Sequence, residues 1–207
     1  MKVSWIITLT AFLSFSPIVS NCQNFDLETL RRLENTRSPF MNKTMESVSN
    51  SVYIVSPAIP IGLISAGIAS ANKNITMAGI QIGSGLLISM VSNYGTKNIF
   101  KRPRPYDTYP DILTPLAHET SFSFPSGHTS SAFNLATSLS LQFPKWYIAV
   151  PAFIWASTVA FSRMYLGVHY PSDVFIGIIM GVATAYLSYK VKQWIYPEIQ
   201  NHATIKL

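Results

Sequence analysis

The sequence predicts an all-α fold: a polytopic membrane bundle of about five core helices behind an N-terminal signal or anchor segment. Three observations predict it. The 207 residues are 48% hydrophobic and only 12% charged, about half the charged share of an average soluble domain. Lys, Arg, Asp and Glu are absent from 47–72, 74–96, 120–144, 146–162 and 174–189, and a bilayer-spanning helix needs about 20 mostly apolar residues. Small residues recur at four-residue spacing, Gly79/Gly83 and Gly177/Gly181, which suits close helix packing in lipid.

Composition also excludes several classes. A mean hydropathy of +0.26 with so little charge is not that of a disordered chain. Cys22 is the only cysteine, so neither a disulfide framework nor a zinc–cysteine site can form. The net charge of +6 does not lie in one basic stripe, so no nucleic-acid partner is implied. Instead Lys97, Lys101, Arg102 and Arg104 form one cluster, the pattern of a local anion site.

The elements follow in order. Residues 1–21 read as a signal peptide or signal anchor: Lys2 gives a positive start, Trp5 to Phe15 is apolar, and small residues follow Pro17. Asn21 before Cys22 is a poor lipid-attachment box, so Cys22 is an ordinary thiol. Residues 22–52 form an extracytoplasmic lead-in, where Leu27, Leu30 and Leu33 at three-residue spacing predict a short amphipathic helix. The main domain, 53–196, holds helices near 53–71, 75–96, 126–143, 146–162 and 173–194, and 197–207 is a cytoplasmic tail. An export signal places the lead-in outside. Counting spans from there puts Lys73, Lys145, Lys190, Lys192 and Lys206 inside, as the positive-inside rule expects. The loop 98–125 is then outside, and its basic cluster breaks that rule.

Three stretches on the outer side carry the chemistry. In Lys97-Asn98-Ile99-Phe100-Lys101-Arg102-Pro103-Arg104-Pro105, Arg offers a planar fork that fits phosphate oxygens, and Lys a point charge. In Ser123-Phe124-Pro125-Ser126-Gly127-His128-Thr129, Ser126 is a good N-cap. The amides of Gly127, His128 and Thr129 then open a helix N-terminus, which favours an anion. Gly127 removes a side chain from that approach, and His128 stands within a turn of it, placed to donate a proton. In Ser162 to Asp173, Arg163 and His169 share a short connection, and Asp173 lies four residues beyond His169. Its carboxylate can reach the ring N–H and free the other nitrogen for attack. Singly, these are a juxtamembrane basic patch, a capped helix and a stapled loop. Together on one side of a membrane they supply an anion clamp, a proton donor and a nucleophile, the parts needed for phosphoryl transfer. The residues alone leave open which histidine attacks.

The spacing Lys97-x6-Arg104-Pro105, then Pro125-Ser126-Gly127-His128, then Ser162-Arg163-x5-His169-x3-Asp173 resembles the type 2 phosphatidic acid phosphatase (PAP2) and vanadium haloperoxidase superfamily, in its membrane lipid phosphatase branch. All three motifs stand in order over roughly residues 53–196. The resemblance implies a helical, metal-free phosphatase with no cofactor. It implies His169 as the nucleophile forming a phosphohistidine, oriented by Asp173, and His128 as the acid for the leaving alcohol. Lys97, Arg104, Arg163, Ser126 and Gly127 would hold the phosphate, with Arg102 as an assisting cation.

The function expected from this is metal-independent hydrolysis of a lipid phosphomonoester or diphosphate, of the phosphatidic acid, phosphatidylglycerol phosphate, prenyl diphosphate or lipid A type. The protein would be multi-pass, with its site on the extracytoplasmic face, in the inner membrane if bacterial. The bilayer and the lipid phosphate are its expected partners. Two alternatives are a secreted soluble acid phosphatase of the same superfamily and a non-catalytic lipid-binding membrane protein. A vanadate-dependent haloperoxidase is a third, and those enzymes are generally larger. Tyr106, Asp107, Tyr109, Asp111, His118 and Glu119 are candidates for the rim of the site.

Overall fold

The structure, a computed structural model, describes residues 24–197. The signal or anchor segment, Cys22, and the tail from residue 198 with Glu198 and Lys206 lie outside the described residues. Among the described residues the chain is helical with no strand: α1 over 24–34, α2 Pro39–Ala69, α3 Lys73–Phe100, α4 Pro105–Thr108, α5 Gly127–Gln142, α6 Trp146–Tyr165 and α7 Pro171–Ile195.

Local chemistry sets these limits. The leucines at three-residue spacing do form a helix, α1, which buries Leu30 against Leu113 and Tyr170. α2 starts at Pro39 rather than near residue 53. Ser38 caps it by accepting the Met41 N–H at 3.4 Å, and Pro39 occupies the first turn, where its missing N–H costs nothing. The polar run after residue 39 is thus helix, and it turns Met45, Ser49 and Val52 inward. Asn72 caps α3 by accepting the Asn74 and Ile75 N–H groups at 3.1 and 3.3 Å. At the other end Lys101 adopts the left-handed conformation, φ 47°, and returns its N–H to the Lys97 carbonyl, a common helix stop.

α5 is the central helix, packed against α3, α6 and α7. Every residue from Ala132 to Ser138 is buried. Its polar side chains find partners on neighbouring helices: Ser130 with Ser89 and Asn93, and Asn134 with Thr184 and the Gly85 carbonyl. A helix enclosed in this way need not be apolar, because it meets other helices rather than lipid.

The outer faces are the reverse. Ile54, Ile61 and Ile68 on α2, Leu87 and Val91 on α3, Ile154 on α6 and Phe175 on α7 are all more than half exposed. Such a girdle of exposed apolar side chains is the surface of a protein solvated by lipid. Among the described residues, three helical stretches are long and apolar enough to cross a membrane by length and composition: α2, α7 and Lys73–Thr108, which contains α3. α5 has only 16 residues, and α6 carries Pro151 and the charged Arg163 within its 20 residues. Trp146 and Trp194, among the most exposed side chains, mark one end of the bundle beside Lys145 and Lys190, where an interface would anchor them.

Two of the paired glycines, Gly177 and Gly181, let α7 lie on α5. A Cβ on Gly181 would stand 2.4 Å from the Ser130 carbonyl oxygen and 2.9 Å from the Asn134 nitrogen. Both are backbone atoms and cannot yield by rotating a side chain. Gly181→Ala is therefore expected to destabilise the bundle by about 1–3 kcal/mol, seen as a lower midpoint in thermal unfolding of the detergent-solubilised protein. An unchanged midpoint would show that α5 and α7 can move apart freely.

Candidate active site

The chemistry-bearing residues meet at the end of the bundle opposite those tryptophans. α3 carries Lys97 in its last turn, and the left-handed Lys101 turns the chain into Arg102-Pro103-Arg104-Pro105. α5 opens at Gly127 and brings His128. α6 carries Arg163 in its last turn, the connection 166–170 carries His169, and α7 places Asp173 in its first turn. Gly167 in that connection has φ +75°, a conformation open to glycine at no steric cost, and this reverses the chain between Arg163 and His169. The starts of α5 and α7 are locked together: the Ser126 N–H donates to the Asp173 carbonyl at 3.1 Å. A Cβ on Gly177 would approach the Ser126 carbonyl to 2.8 Å.

His169 is buried, and its two nitrogens face opposite partners. Nδ1 lies 3.6 Å from Asp173 Oδ2, within ion-pair range but longer than a hydrogen bond. Nε2 lies 3.4 Å from Arg104 Nη1. A guanidinium only donates, so Nε2 is the unprotonated nitrogen and the ring proton sits on Nδ1, towards the carboxylate. That tautomer leaves the Nε2 lone pair facing Arg104 as the acceptor of its N–H. Asp173 is held in turn by the Ser123 hydroxyl, the Tyr170 N–H at 3.0 Å and Arg102 Nη1 at 2.6 Å.

His169 opens on a cavity of about 440 Å³ that is also lined by Lys97, Arg104, Gly127, His128 and Glu119. The helical numbering of α3 gives it depth: Lys97, then Asn93 and Tyr94, then Met90 line it, and seven residues of helix span about 10 Å. Val52, Tyr53 and Pro57 of α2 complete the wall. One part of the cavity is therefore cationic and the other apolar. Tyr53 also stands edge-on to the His128 ring, with centroids 4.9 Å apart, and His128 Nε2 is buried with no partner.

The remaining expected residues sit slightly apart. Ser126 is at the N-cap position of α5 but makes no capping bond; its buried hydroxyl pairs with Thr129 Oγ1 at 2.9 Å. The first amides of α5 are thus not capped by that side chain. Arg163 is buried behind the cavity wall, where one nitrogen donates to Ser49 Oγ and another to Glu119 Oε1. Arg102 does not line the cavity. It lies behind Asp173, bonded to Asp173, Ser172 and Asp26, with its guanidinium 3.8 Å over the Tyr170 ring. Its donors are committed to these acids, so its geometry differs from that of an assisting phosphate ligand.

The electrostatics follow from burial and neighbouring cations. Burial pushes the His169 imidazole down to about 3, with Arg163 and Arg104 acting in the same direction and Asp173 opposing them. His169 is therefore neutral at ordinary pH. For Glu119, burial alone raises the pKa, but the charge and hydrogen bond of Arg163, with His128 and Arg104, outweigh it and bring the net shift downward. Glu119 is an anion already seated on a cation of the site.

Sequence reasoning named Glu119 only as a rim residue and assigned no role to Ser123 or Ser49. Ser123 stands beside the Pro125-Ser126-Gly127-His128 motif, but nothing in its spacing points to a carboxylate fifty residues on. Ser49 lies in the polar run read as lead-in.

A family model described as the PAP2 superfamily matches residues 78–197. Among curated proteins, the chain is 30% identical over 131 residues to undecaprenyl-diphosphatase BcrC of Bacillus subtilis (strain 168), a match covering 63% of this chain and 64% of that one. The chain spans between 37% and 64% of the length of the first curated relatives it matches. Among solved structures it resembles the transmembrane PAP2-type phosphatidylglycerolphosphate phosphatase from Bacillus subtilis, with TM-score 0.70 and 27% identity over 90% of this chain and 96% of that one. It also resembles LpxE from Aquifex aeolicus, with TM-score 0.66 and 28% identity over 80% and 95%.

The depressed His169 value has a consequence for stability. Between about 3 and the ordinary value of 6.5 the unfolded chain binds more protons at this residue than the folded one, so stability rises with pH through that window. Unfolding at pH 4 and pH 7 is therefore expected to show a smaller difference in His169→Gln than in the unsubstituted protein. An equal difference in the two would mean that His169 is not held neutral by the fold.

Proposed function

The chain belongs to the PAP2 superfamily, and from that membership and the geometry of its cavity we propose that it is a membrane phosphatase that hydrolyses a lipid phosphomonoester or diphosphate through a phosphohistidine. One observation carries the reading. His169, with Nε2 unprotonated beside Arg104, lines a cavity that is cationic around it and apolar one to two helical turns along α3. A phosphate head group fits the first part. An acyl or prenyl chain fits the second, along Tyr53, Pro57, Met90 and Tyr94, of which Tyr53, Met90 and Tyr94 are well exposed on the outer face of α2 and α3.

The chemistry then runs on this chain's own groups. Lys97 and Arg104 bind the phosphate oxygens, with the free amides at the start of α5, and stabilise the charge that spreads over them in the transition state. Arg163 joins when the phosphate replaces Glu119 on its guanidinium. His169 Nε2 attacks phosphorus in line. The N–P bond forms as the P–O bond to the lipid breaks, and His128, protonated in the presence of the phosphate charge, gives its proton to the leaving oxygen. The ring of His169 becomes cationic in this step, and Asp173 behind Nδ1 stabilises that charge. Water then attacks the phosphohistidine with His128 as base, releasing phosphate and restoring the nitrogen lone pair.

The girdle of exposed apolar side chains favours a lipid substrate over the soluble ester of a secreted phosphatase. The lysines beside Trp146 and Trp194 favour the cytoplasm for that end of the bundle, which supports a reading with the site on the extracytoplasmic face. Undecaprenyl diphosphate, phosphatidylglycerol phosphate and lipid A phosphates are the substrate types named by the relatives. A lipid held by its phosphate and a length of chain is what they share.

Phosphate release by the detergent-solubilised protein, with EDTA present, tests this on farnesyl diphosphate, phosphatidic acid, phosphatidylglycerol phosphate and p-nitrophenyl phosphate. Release is expected to favour the lipids and to fall by roughly a thousandfold or more in His169→Ala. The two histidines should separate by leaving group. His128→Ala is expected to impair lipid phosphates more than p-nitrophenyl phosphate, whose phenolate leaves without a proton. Retained turnover in His169→Ala would sink the mechanism, and better turnover of the soluble ester by the unsubstituted protein would sink the lipid assignment.

A further inference from the structure

Asp26 lies on α1, far outside the residues that the family model matches, yet it is buried and its carboxylate faces the back of the site. Oδ2 accepts from Arg102 Nη2 at 3.0 Å, and the Ser172 N–H donates to Oδ1 at 3.0 Å. The Ser172 hydroxyl donates to Oδ2 as well. Arg102 Nη1 meets Asp173 Oδ1 at 2.6 Å. The guanidinium is therefore shared between two buried carboxylates, and its central carbon lies 3.8 Å over the Tyr170 ring.

From this arrangement, and resting on the phosphatase reading above, we infer that Asp26 is a positioning residue for the reaction: through Arg102 it holds Asp173 behind His169 without cancelling the charge of Asp173. A lone Arg102 would fix Asp173 but also neutralise it. Asp173 would then stabilise the cationic His169 ring of the intermediate poorly. A second carboxylate on the far side takes up part of the guanidinium charge and leaves the pair net negative towards His169. The placement of Asp26 is built rather than incidental. Leu30, one turn further along α1, packs on Leu113 and Tyr170. Where α1 leads into α2, Arg37 donates to the carbonyls of Thr114 and Tyr165, and Glu34 accepts the Thr114 N–H at 2.9 Å. The segment before α2 is thus strapped over the connection that carries His169.

The test is steady-state kinetics on the full-length detergent-solubilised protein, with farnesyl diphosphate and phosphatidic acid as substrates and rates expressed per folded molecule. Asp26→Asn keeps the shape and removes the charge. It is expected to lower kcat by roughly tenfold, as loss of an outer partner of a catalytic group does elsewhere, with KM little changed because no phosphate ligand is touched. In an Arg102→Gln background the same change should have almost no further effect, since Asp26 acts through Arg102. A purely structural tie for α1 would instead lower thermal stability and leave kcat alone, and that outcome overturns the inference. So would full additivity of the two substitutions. If Asp26→Asn does not fold, Arg102→Lys carries the test: one ammonium cannot bridge both acids in the same geometry, so undiminished kcat there overturns it as well. Lack of turnover by the unsubstituted protein would instead contradict the phosphatase reading, and this inference would fall with it.

Discussion

The site rests on one buried carboxylate. Asp173 has no exposed surface, and an ionised carboxylate out of water is stable only if its oxygens are answered. They are answered by three separate pieces of chain: Ser123 ahead of α5, Tyr170 at the start of α7, and Arg102 beyond α3. The need to satisfy one charge thus gathers the three motifs at one end of the bundle. The same carboxylate faces Nδ1 of His169 at 3.6 Å, so it favours the tautomer that Arg104 selects at Nε2. Stability and chemistry share a single group, and each element that touches Asp173 bears on both.

Close helix contact makes this gathering possible. Without side chains at Gly177 and Gly181, the first turns of α5 and α7 lie near enough for the Ser126 amide to reach the Asp173 carbonyl. His128 and His169 are then carried on segments braced against each other. The polar side chains of α5 pair with α3 and α7 below the site, which keeps the central helix in register while the apolar faces of the other helices meet lipid.

Much of this was legible in the sequence. The uncharged stretches located α3, α5, α6 and α7 closely, because lipid and a tight core both exclude charge. They misplaced the start of α2, since Lys43 and Glu46 lie on a helical stretch beyond the apolar zone. Lys97, Arg104, Gly127, His128 and His169 line one cavity, as motif spacing led one to expect. Arg102 could not be told from Arg104 by spacing, for both stand in one Arg-Pro-Arg-Pro run; only the acids Asp26 and Asp173 show which guanidinium turns away from the cavity. Telling which nitrogen of His169 is unprotonated also needed the fold, because the decisive contact is Arg104 on Nε2.

In the proposed mechanism His169 Nε2 carries the phosphate between lipid and water. The most direct measurement is to mix the protein with a labelled lipid phosphate, quench in alkaline denaturant within the first turnover, and map any phosphorylated residue by mass spectrometry. Phosphate is expected on the imidazole of His169. Phosphate on His128 or another residue, or turnover through lipid and water with the protein never labelled, would contradict it.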